Sequence, residues 1–556
     1  MTIETVGPGG VGNSYGVRST TSPSQINSTS PKDVYNEFAA SPSANYALDS
    51  SGNVTGLVGP GGVVSALPSS IAGTVGLVAI GDSMTASIAG NNTVTSAART
   101  NNVVTLGVTG HVTGNGELSN IYNMLDTSYN ANGVVMTKVD ANTLTYPSVG
   151  ADGSTASLSA TKPMIQQRLN FMNDNSWLFW LQGKSKGAFN LLFSGGRNGH
   201  NSTDMLARYT AEAVTANTSA QMITLFTGYN DFVIAGSTAD TVYANMIAMV
   251  KQSAGKLVVV VSAIPLSSSN GSVTLAMRKE LMRYNRMMRL YCNSTVNVRF
   301  ADAFKYLVNS TSTTGDIATG MLLADAIHPS PKGAERIAQA IWDVVQSNVS
   351  QPSRLVASAL DTITNDTSSK NLAGTLTFTN TGGALAGSPI TTGVAAAGVG
   401  LTNASSGAGA SVGSCPARSD GFGYDQTVVF SPAVVGDTIT ISSQGFLTTG
   451  VTAGDDVQML AELTLTGMAV GANSFLRSIE ISNGFNNTSS SGWTAKPQGV
   501  SGADYPNSDM TLTIVSPKFR LPVAVSGVSF SFIFKSAVTS GSLTIALGRI
   551  SIEKLN

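Results

Sequence analysis

Three runs of this sequence are apolar along almost their whole length and too short for helices: Val75 to Ile80, Met222 to Phe226, and Leu257 to Ala263, which reads LVVVVSA. A strand wetted on one face alternates apolar with polar residues. A continuous run means that both faces are covered, as in parallel sheets. Val296 to Phe300 fits as a fourth strand. Segments with helical spacing lie between and after them. Thr203 to Val214 lines up Met205, Leu206, Tyr209 and Ala213. Leu275 to Cys292 lines up Leu275, Leu281, Tyr284, Met288 and Cys292. Pro331 to Val345 lines up Ala334, Ile337, Ala338, Ile341 and Val345. Strand and helix in alternation predict an α/β domain over about residues 71–350, an open sheet with helices on both faces.

At 556 residues the chain is too long for one ordinary core, so two to four domains are expected. Residues 1–70, punctuated by Pro8-Gly9-Gly10 and Pro60-Gly61-Gly62, read as an extended N-terminal attachment segment, ordered by a partner. Residues 98–157 contain NNVVTLGVTG and GVVMTKVDANTLTYPSV, short β runs too long together for a βα loop, and are expected to form a small β insertion. From about 353 to 556 the runs Thr375 to Asn380, Thr427 to Phe430, Asp437 to Ser442, Val457 to Thr466, Met510 to Val515, Gly527 to Phe534 and Leu543 to Glu553 read as strands. They predict a jelly-roll-like β-sandwich for carbohydrate binding or trimerisation, with 381–420 as loop.

Charge narrows the partners. Charged residues are only 11% and the formal net charge is -1, with no Lys or Arg track for a polyanion, so nucleic acid is not expected. Cys292 and Cys415 fit no metal spacing and read as two unrelated buried thiols; no metal or cofactor is expected. The opening residues lack a charged leader before an apolar run, and no stretch is long enough for a membrane span, so neither a signal peptide nor a span is expected.

Four polar elements fall where strands of the α/β section end. Gly81-Asp82-Ser83 follows the first strand and offers Ser83 as a nucleophile. Gly196-Arg197-Asn198-Gly199 follows the run NLLF and offers the Gly199 N–H near a helix start. Gly228-Tyr229-Asn230-Asp231 follows MITLF and offers the Asn230 amide. Asp325-Ala326-Ile327-His328 precedes the last helix and offers His328 as base with Asp325 to orient it. An imidazole with an ordinary pKa of about 6.5 can accept a serine proton near neutrality. Of three histidines, His111, His200 and His328, only the last has such a partner close by in sequence. Each piece alone also reads as a turn or a helix cap. Together they are what acyl transfer requires.

The same four blocks, in this order, resemble the SGNH or GDSL hydrolase family over about residues 72 to 350, apart from the insertion. The resemblance implies a three-layer α/β/α flavodoxin-like fold and an esterase that needs no metal. It makes Ser83 the nucleophile and His328 and Asp325 the rest of the triad. Ser83, Gly199 and Asn230 become the oxyanion hole. The second block departs from the family pattern at Arg197 and Asn198; Arg197 and Tyr229 are candidate substrate contacts, Arg197 for an anionic sugar. Gly150 to Thr155 is a rival for the second block, less favoured because NLLF supplies a strand and DMLARY a helix around Gly199.

The Ser-, Thr- and Asn-rich composition, the turn-rich N terminus and the β-rich C-terminal part resemble phage tail-spike or receptor-binding proteins, and the insertion resembles small β modules of phage proteins. That implies a virion protein, a homotrimer joined at its N terminus to phage tail or baseplate proteins. It would act at the host surface by removing O-acetyl groups from a capsule or O-antigen polysaccharide. Other classes stay open: an esterase or lipase for another acyl ester, a glycan-binding or structural tail protein with Trp493 stacking on sugar, or a glycoside hydrolase using two of Asp231, Asp302 and Asp325.

Overall fold

The computed structural model describes residues 74–86, 91–111, 118–154, 163–167, 173–349 and, with interruptions, 382–555, besides a few isolated residues and short N-terminal strands. The attachment segment expected at 1–70 lies, apart from those strands, outside the described residues.

The α/β section is built as follows. Strand β1 (Val75–Gly81) is buried at every position and runs into a one-turn helix α1 (Ser83–Ala86). After the insertion come α2 (Trp177–Lys184), β2 (Phe189–Gly196), α3 (Ser202–Tyr209), β3 (Met222–Phe226), α4 (Ala239–Gln252), β4 (Leu257–Val261), α5 (Leu275–Asn293), β5 (Val298–Ala301), α6 (Ala303–Leu307) and α7 (Pro331–Val345). The five strands pair in the order β2-β1-β3-β4-β5, all parallel. Alternate residues of β1 feed two apolar clusters on opposite faces: Val75, Leu77 and Ala79 pack with α2 and α7, Val78 and Ile80 with α3, α4 and α5. Burial on both faces is why these strands lack polar alternation.

Local chemistry sets the helices. Asn201 caps α3, accepting from the N–H groups of Thr203 and Asp204, while the Asp204 side chain accepts from the Asn201 N–H. Ser330 caps α7, with Pro331 in the first turn, and Ala334, Ile337, Ala338, Ile341 and Val345 are buried as their spacing predicts. Truncating a core side chain such as Ile341 to Ala would cost about 2–5 kcal/mol. Helix α2, WLFWLQGK, shows no polar stripe because Trp177 to Gly183 are all buried. The helix expected over 203–214 is regular only to Tyr209 and widens into a π turn over Thr210–Thr215.

The β insertion is larger than the stretch 98–157. Its strands start at Asn91–Thr93 and end at Met164–Gln167, forming a five-stranded and a four-stranded antiparallel sheet around Val104, Leu106, Ile121, Leu144, Tyr146 and Ile165. The outer strands, NNT and MIQQ, are mostly polar, so no alternation marks them.

The C-terminal region is β-rich, with two seven-stranded sheets. Their longest strands are Asp456–Thr466 and Leu543–Lys554 in one sheet, Leu476–Phe485 and Gly527–Ser536 in the other. Ile439, Ile441 and Leu463 are buried between polar neighbours, and Phe532, Phe534 and Ile545 are buried as well. Of the strand expected at 375–380 only Phe378 lies within the described residues, and it is not in a strand. The stretch 381–420 is not the expected loop: Ala384–Ser388, Val399–Ala404 and Ala410–Ser414 are strands. Small residues serve packing there, since a Cβ at Gly413 would lie 2.6 Å from the Leu401 side chain. The side chain of Trp493 lies outside the described residues. Cys292 is buried, whereas Cys415 is only half-buried.

The C-terminal region packs on the α/β section through α2. Leu512 meets Gly183, where a Cβ would stand 2.9 Å from the leucine, and the buried Tyr505 ring lies edge-on to Trp180 at 6.1 Å between centroids.

Candidate active site

The strand register brings the candidate loops together. Gly81 pairs with both Gly196 and Phe226, and Phe226 with Val261, so the carboxyl ends of β2, β1, β3 and β4 are level. Chain order and strand order change direction between β1 and β3, the point where sheets of this kind open a crevice. Ser83, Gly199 and Asn230 each follow one of these ends within a few residues.

Ser83 opens α1 and is half-buried. Asp82 holds the turn: its carboxylate accepts the Met84 N–H at 2.9 Å and its carbonyl the Ala86 N–H at 2.9 Å. Gly81 is required by close approach, because a Cβ there would lie 2.7 Å from the Phe226 carbonyl. That carbonyl belongs to β3, so the turn bearing Ser83 and the sheet are in direct contact.

The second block is tied to the first and third. The Arg197 N–H donates to the Gly81 carbonyl at 3.1 Å. Gly199 has φ +80, left-handed backbone that favours glycine. It is exposed, and its N–H precedes α3, where unpaired donors gather. The Asn230 amide donates one hydrogen to the His200 carbonyl at 2.9 Å. That bond fixes the amide plane; a primary amide carries a second N–H. Asn230 is buried and begins a π turn, Asn230–Ile234.

His328 and Asp325 meet as their spacing suggests. His328 Nδ1 lies 2.6 Å from Asp325 Oδ2, and Asp325 Oδ1 accepts the main-chain N–H groups of Ile327 and His328 at 2.9 and 3.0 Å. Partial burial works to raise the Asp325 carboxyl, but the hydrogen bonds from the His328 ring and from these N–H groups outweigh it and hold it below the usual carboxylate range. An ionised Asp325 places the ring proton on Nδ1 and leaves the Nε2 lone pair to take a proton. Met84, beside Ser83, and Ile327, beside His328, belong to one apolar cluster. Ala326 adopts φ +57, an uncommon conformation for a residue with a Cβ, at the tip of the loop that carries the pair.

Behind these groups lies a buried polar layer with no periodic signal in the sequence. Asp231 accepts the Ser202 N–H at 3.0 Å and the Ser202 hydroxyl at 2.6 Å, with a third bond from Thr227. Arg208 donates to the Gly81 carbonyl at 3.0 Å and pairs with Glu212 at 2.6 Å. His200 is pushed down to about 4 by burial and by the cations Arg208 and Arg197, so it stays neutral. His111 lies in the insertion.

Arg197 and Tyr229 are largely committed to protein partners. The Arg197 guanidinium is ion-paired with Glu212 and lies over the Tyr122 ring at 4.5 Å, joining the insertion to the α/β section. It borders a cavity of about 370 Å³ lined also by Asn120, Tyr122, Gln166, Phe193 and Glu212. Its guanidinium shares the Glu212 carboxylate with Arg208. Tyr229 is half-buried against both apolar clusters, and its hydroxyl accepts from Asn270 at 2.8 Å. Of the carboxylates considered for glycoside hydrolysis, Asp231 is locked in hydrogen bonds, and Asp302 caps α6 and pairs with Arg289. Gly153, in the rival second block, sits in an exposed two-residue strand of the insertion. Among the described residues no cluster of three or more His, Cys, Asp and Glu could hold a metal, and no helix is long and apolar enough to cross a membrane.

Asp82 gives a pH prediction. Burial raises its carboxyl to about 7, against the Met84 hydrogen bond, with Asp231 adding to the rise. Between the unfolded value of 3.8 and about 7 the folded protein keeps a proton that the unfolded chain has released. The contribution to stability therefore falls as pH rises through that window and is flat above it. It amounts to at most about 4 kcal/mol. Urea midpoints for wild type and Asp82→Asn should diverge between pH 4 and 7, the variant losing less. Parallel curves would contradict this.

Residues 153–336 match the GDSL-like Lipase/Acylhydrolase family. The match contains Gly199, Asn230, Asp325 and His328 and begins after Ser83, which the insertion separates from the other blocks. No curated protein matches the chain. Among solved structures, a lipase/acylhydrolase from Enterococcus faecalis is 17% identical, with 32% of this chain and 87% of that one covered and a TM-score of 0.27. A lipolytic protein of the G-D-S-L family from Veillonella parvula is 19% identical (31% and 88% covered, TM-score 0.25). A carbohydrate esterase family 3 protein from Talaromyces cellulolyticus is 21% identical (31% and 88% covered, TM-score 0.24).

Proposed function

We propose, since the α/β section of this chain belongs to the GDSL/SGNH family of esterase and lipase hydrolases, that it is a serine esterase removing O-acetyl groups from a bacterial surface polysaccharide. The observation that carries the triad is the His328–Asp325 contact at 2.6 Å. Ser83 Oγ attacks the acetyl carbonyl while His328 Nε2 takes the hydroxyl proton. The oxyanion is met by the N–H groups of Ser83 and Gly199 and the second N–H of Asn230, each such donor being worth about 3 kcal/mol. His328 then returns the proton to the departing sugar oxygen, leaving an acetyl-serine. Water, deprotonated by His328, releases acetate and restores Ser83.

The choice of substrate rests on the composition. The low charge, the turn-rich N terminus and the β-rich C-terminal region support a tail-spike-like virion protein, joined to the phage tail through residues 1–70 and assembled as a trimer. In that reading the two C-terminal sheets form a sandwich whose apolar faces meet, and the region binds glycan or holds the trimer together. Acetate release from acetylated capsular and O-antigen polysaccharides tests the substrate. Release from at least one, abolished by Ser83→Ala, is the expected result. Turnover of simple esters with no release from any glycan would replace the polysaccharide with another acyl ester. Glycan binding without any hydrolysis would favour a binding protein.

A further inference from the structure

We propose that the C-terminal β region positions the catalytic base, through residues 503–505, which clamp the base of the loop bearing Asp325 and His328. The proposal rests on the reading of His328 as the base.

The loop before α7 is a closed hairpin. Leu322 bridges Pro329, the Leu323 N–H donates to the His328 carbonyl at 2.8 Å, and the Ser330 N–H donates to the Met321 carbonyl at 3.1 Å. The Ser330 hydroxyl donates to the Gly320 carbonyl at 2.6 Å while accepting the Gly333 N–H at 3.1 Å, so the helix cap also ties the loop's two ends together. Both ends then meet the C-terminal region. On one side Gly320, at φ +79, approaches the Ala503 carbonyl so closely that a Cβ would lie 2.3 Å from it. On the other, the Lys332 N–H in the first turn of α7 donates to the Asp504 carbonyl at 3.0 Å. That N–H is one of the donors a helix start cannot satisfy internally.

The clamp is itself held. The Asp504 N–H donates to the Ser501 carbonyl at 3.3 Å, and the Ser501 hydroxyl to the Asp504 carboxylate at 2.8 Å. The Ser474 N–H donates to the Gly502 carbonyl at 2.8 Å. Next in sequence, Tyr505 is fully buried and wedged edge-on against Trp180 of α2. The His328 pair is itself about two-fifths exposed, so little side-chain packing surrounds it and its position follows that of the hairpin. Two contacts at the hairpin base, from a region far along the chain, supply the restraint.

The experiment compares full-length wild type, Gly320→Ala, Tyr505→Ala, Tyr505→Phe and Ser83→Ala on 4-nitrophenyl acetate. Thermal midpoints and the downfield His328 Nδ1 proton resonance are followed alongside. Gly320→Ala forces a Cβ into the clamp, and Tyr505→Ala loosens its wedge. Each should lower kcat at least tenfold, about what a sub-ångström misplacement costs, with KM within twofold and the resonance shifted or broadened. Tyr505→Phe keeps the ring and should stay within about twofold of wild type. Folded Gly320→Ala and Tyr505→Ala proteins with lowered midpoints but unchanged kcat and resonance would overturn the clamp. Should Gly320→Ala fail to fold, Tyr505→Ala decides. Unchanged turnover in Ser83→Ala would instead overturn the reading of the site, and the resonance still reports whether the clamp orders His328.

Discussion

Replacing Ser83 with Ala should lower kcat for a small acetyl ester by about 10⁴- to 10⁶-fold while leaving the thermal midpoint nearly unchanged. The substitution removes one half-buried hydroxyl at the start of a one-turn helix. The turn around it is kept by Asp82 and Gly81, neither of which changes. What remains is the oxyanion donors and substrate binding, which by themselves leave roughly 10³- to 10⁴-fold catalysis over water in the best-studied serine hydrolases. Wild type treated with a serine-directed phosphonate should carry a single adduct on Ser83, and the variant none. Hydrolysis at the wild-type rate in the variant, or an adduct mapped to another serine, removes Ser83 as the nucleophile.

The second large effect belongs to His328. His328→Ala should lose about 10⁴-fold or more in kcat, and the double variant with Ser83→Ala should be no worse than the worse single one, because the two groups act in one proton transfer. Asp325→Asn separates orientation from charge. The asparagine oxygen can still accept the N–H groups of Ile327 and His328, so the loop should hold. Its amide would face Nδ1 as a donor, leaving the proton on Nε2, the wrong nitrogen to take one from serine. A loss of about 10²- to 10³-fold is expected, smaller than for a fully buried triad acid because water reaches this half-exposed pair. Additive losses in the Ser83/His328 double variant would mean that the two residues do not share a step.

The sequence was most legible where one physical constraint dominated. Leu257 to Val261 could only be a strand covered on both faces, and the apolar stripe of Pro331 to Val345 could only be a helix seated on a core. The Asp325–His328 contact was readable because both residues lie on one turn. The level strand ends that gather Gly199 and Asn230 toward Ser83 follow from pairing across more than a hundred residues, and no local pattern encodes that. Arg208 and Glu212 were invisible for the same reason: they look like surface charges on an amphipathic helix, yet they close on the Gly81 carbonyl and Arg197. By propensity alone the glycines and alanines between 384 and 414 suggest loop; the crowding that makes small side chains necessary comes from neighbouring strands and carries no local signal.

The pairing of Val75 with Phe189 has a consequence for how the protein is made. The strand leading to Ser83 leaves the ribosome long before either of its neighbours exists, a greasy ribbon with both edges bare. Everything between must be synthesised first, and the β insertion, with an interior of its own, can settle during the wait. In doing so it draws the two ends of a long detour toward each other and lowers the entropy that β1 must overcome to meet β2. A chain whose insertion is slow to settle should aggregate during synthesis even if Ser83, Asp325 and His328 are unchanged.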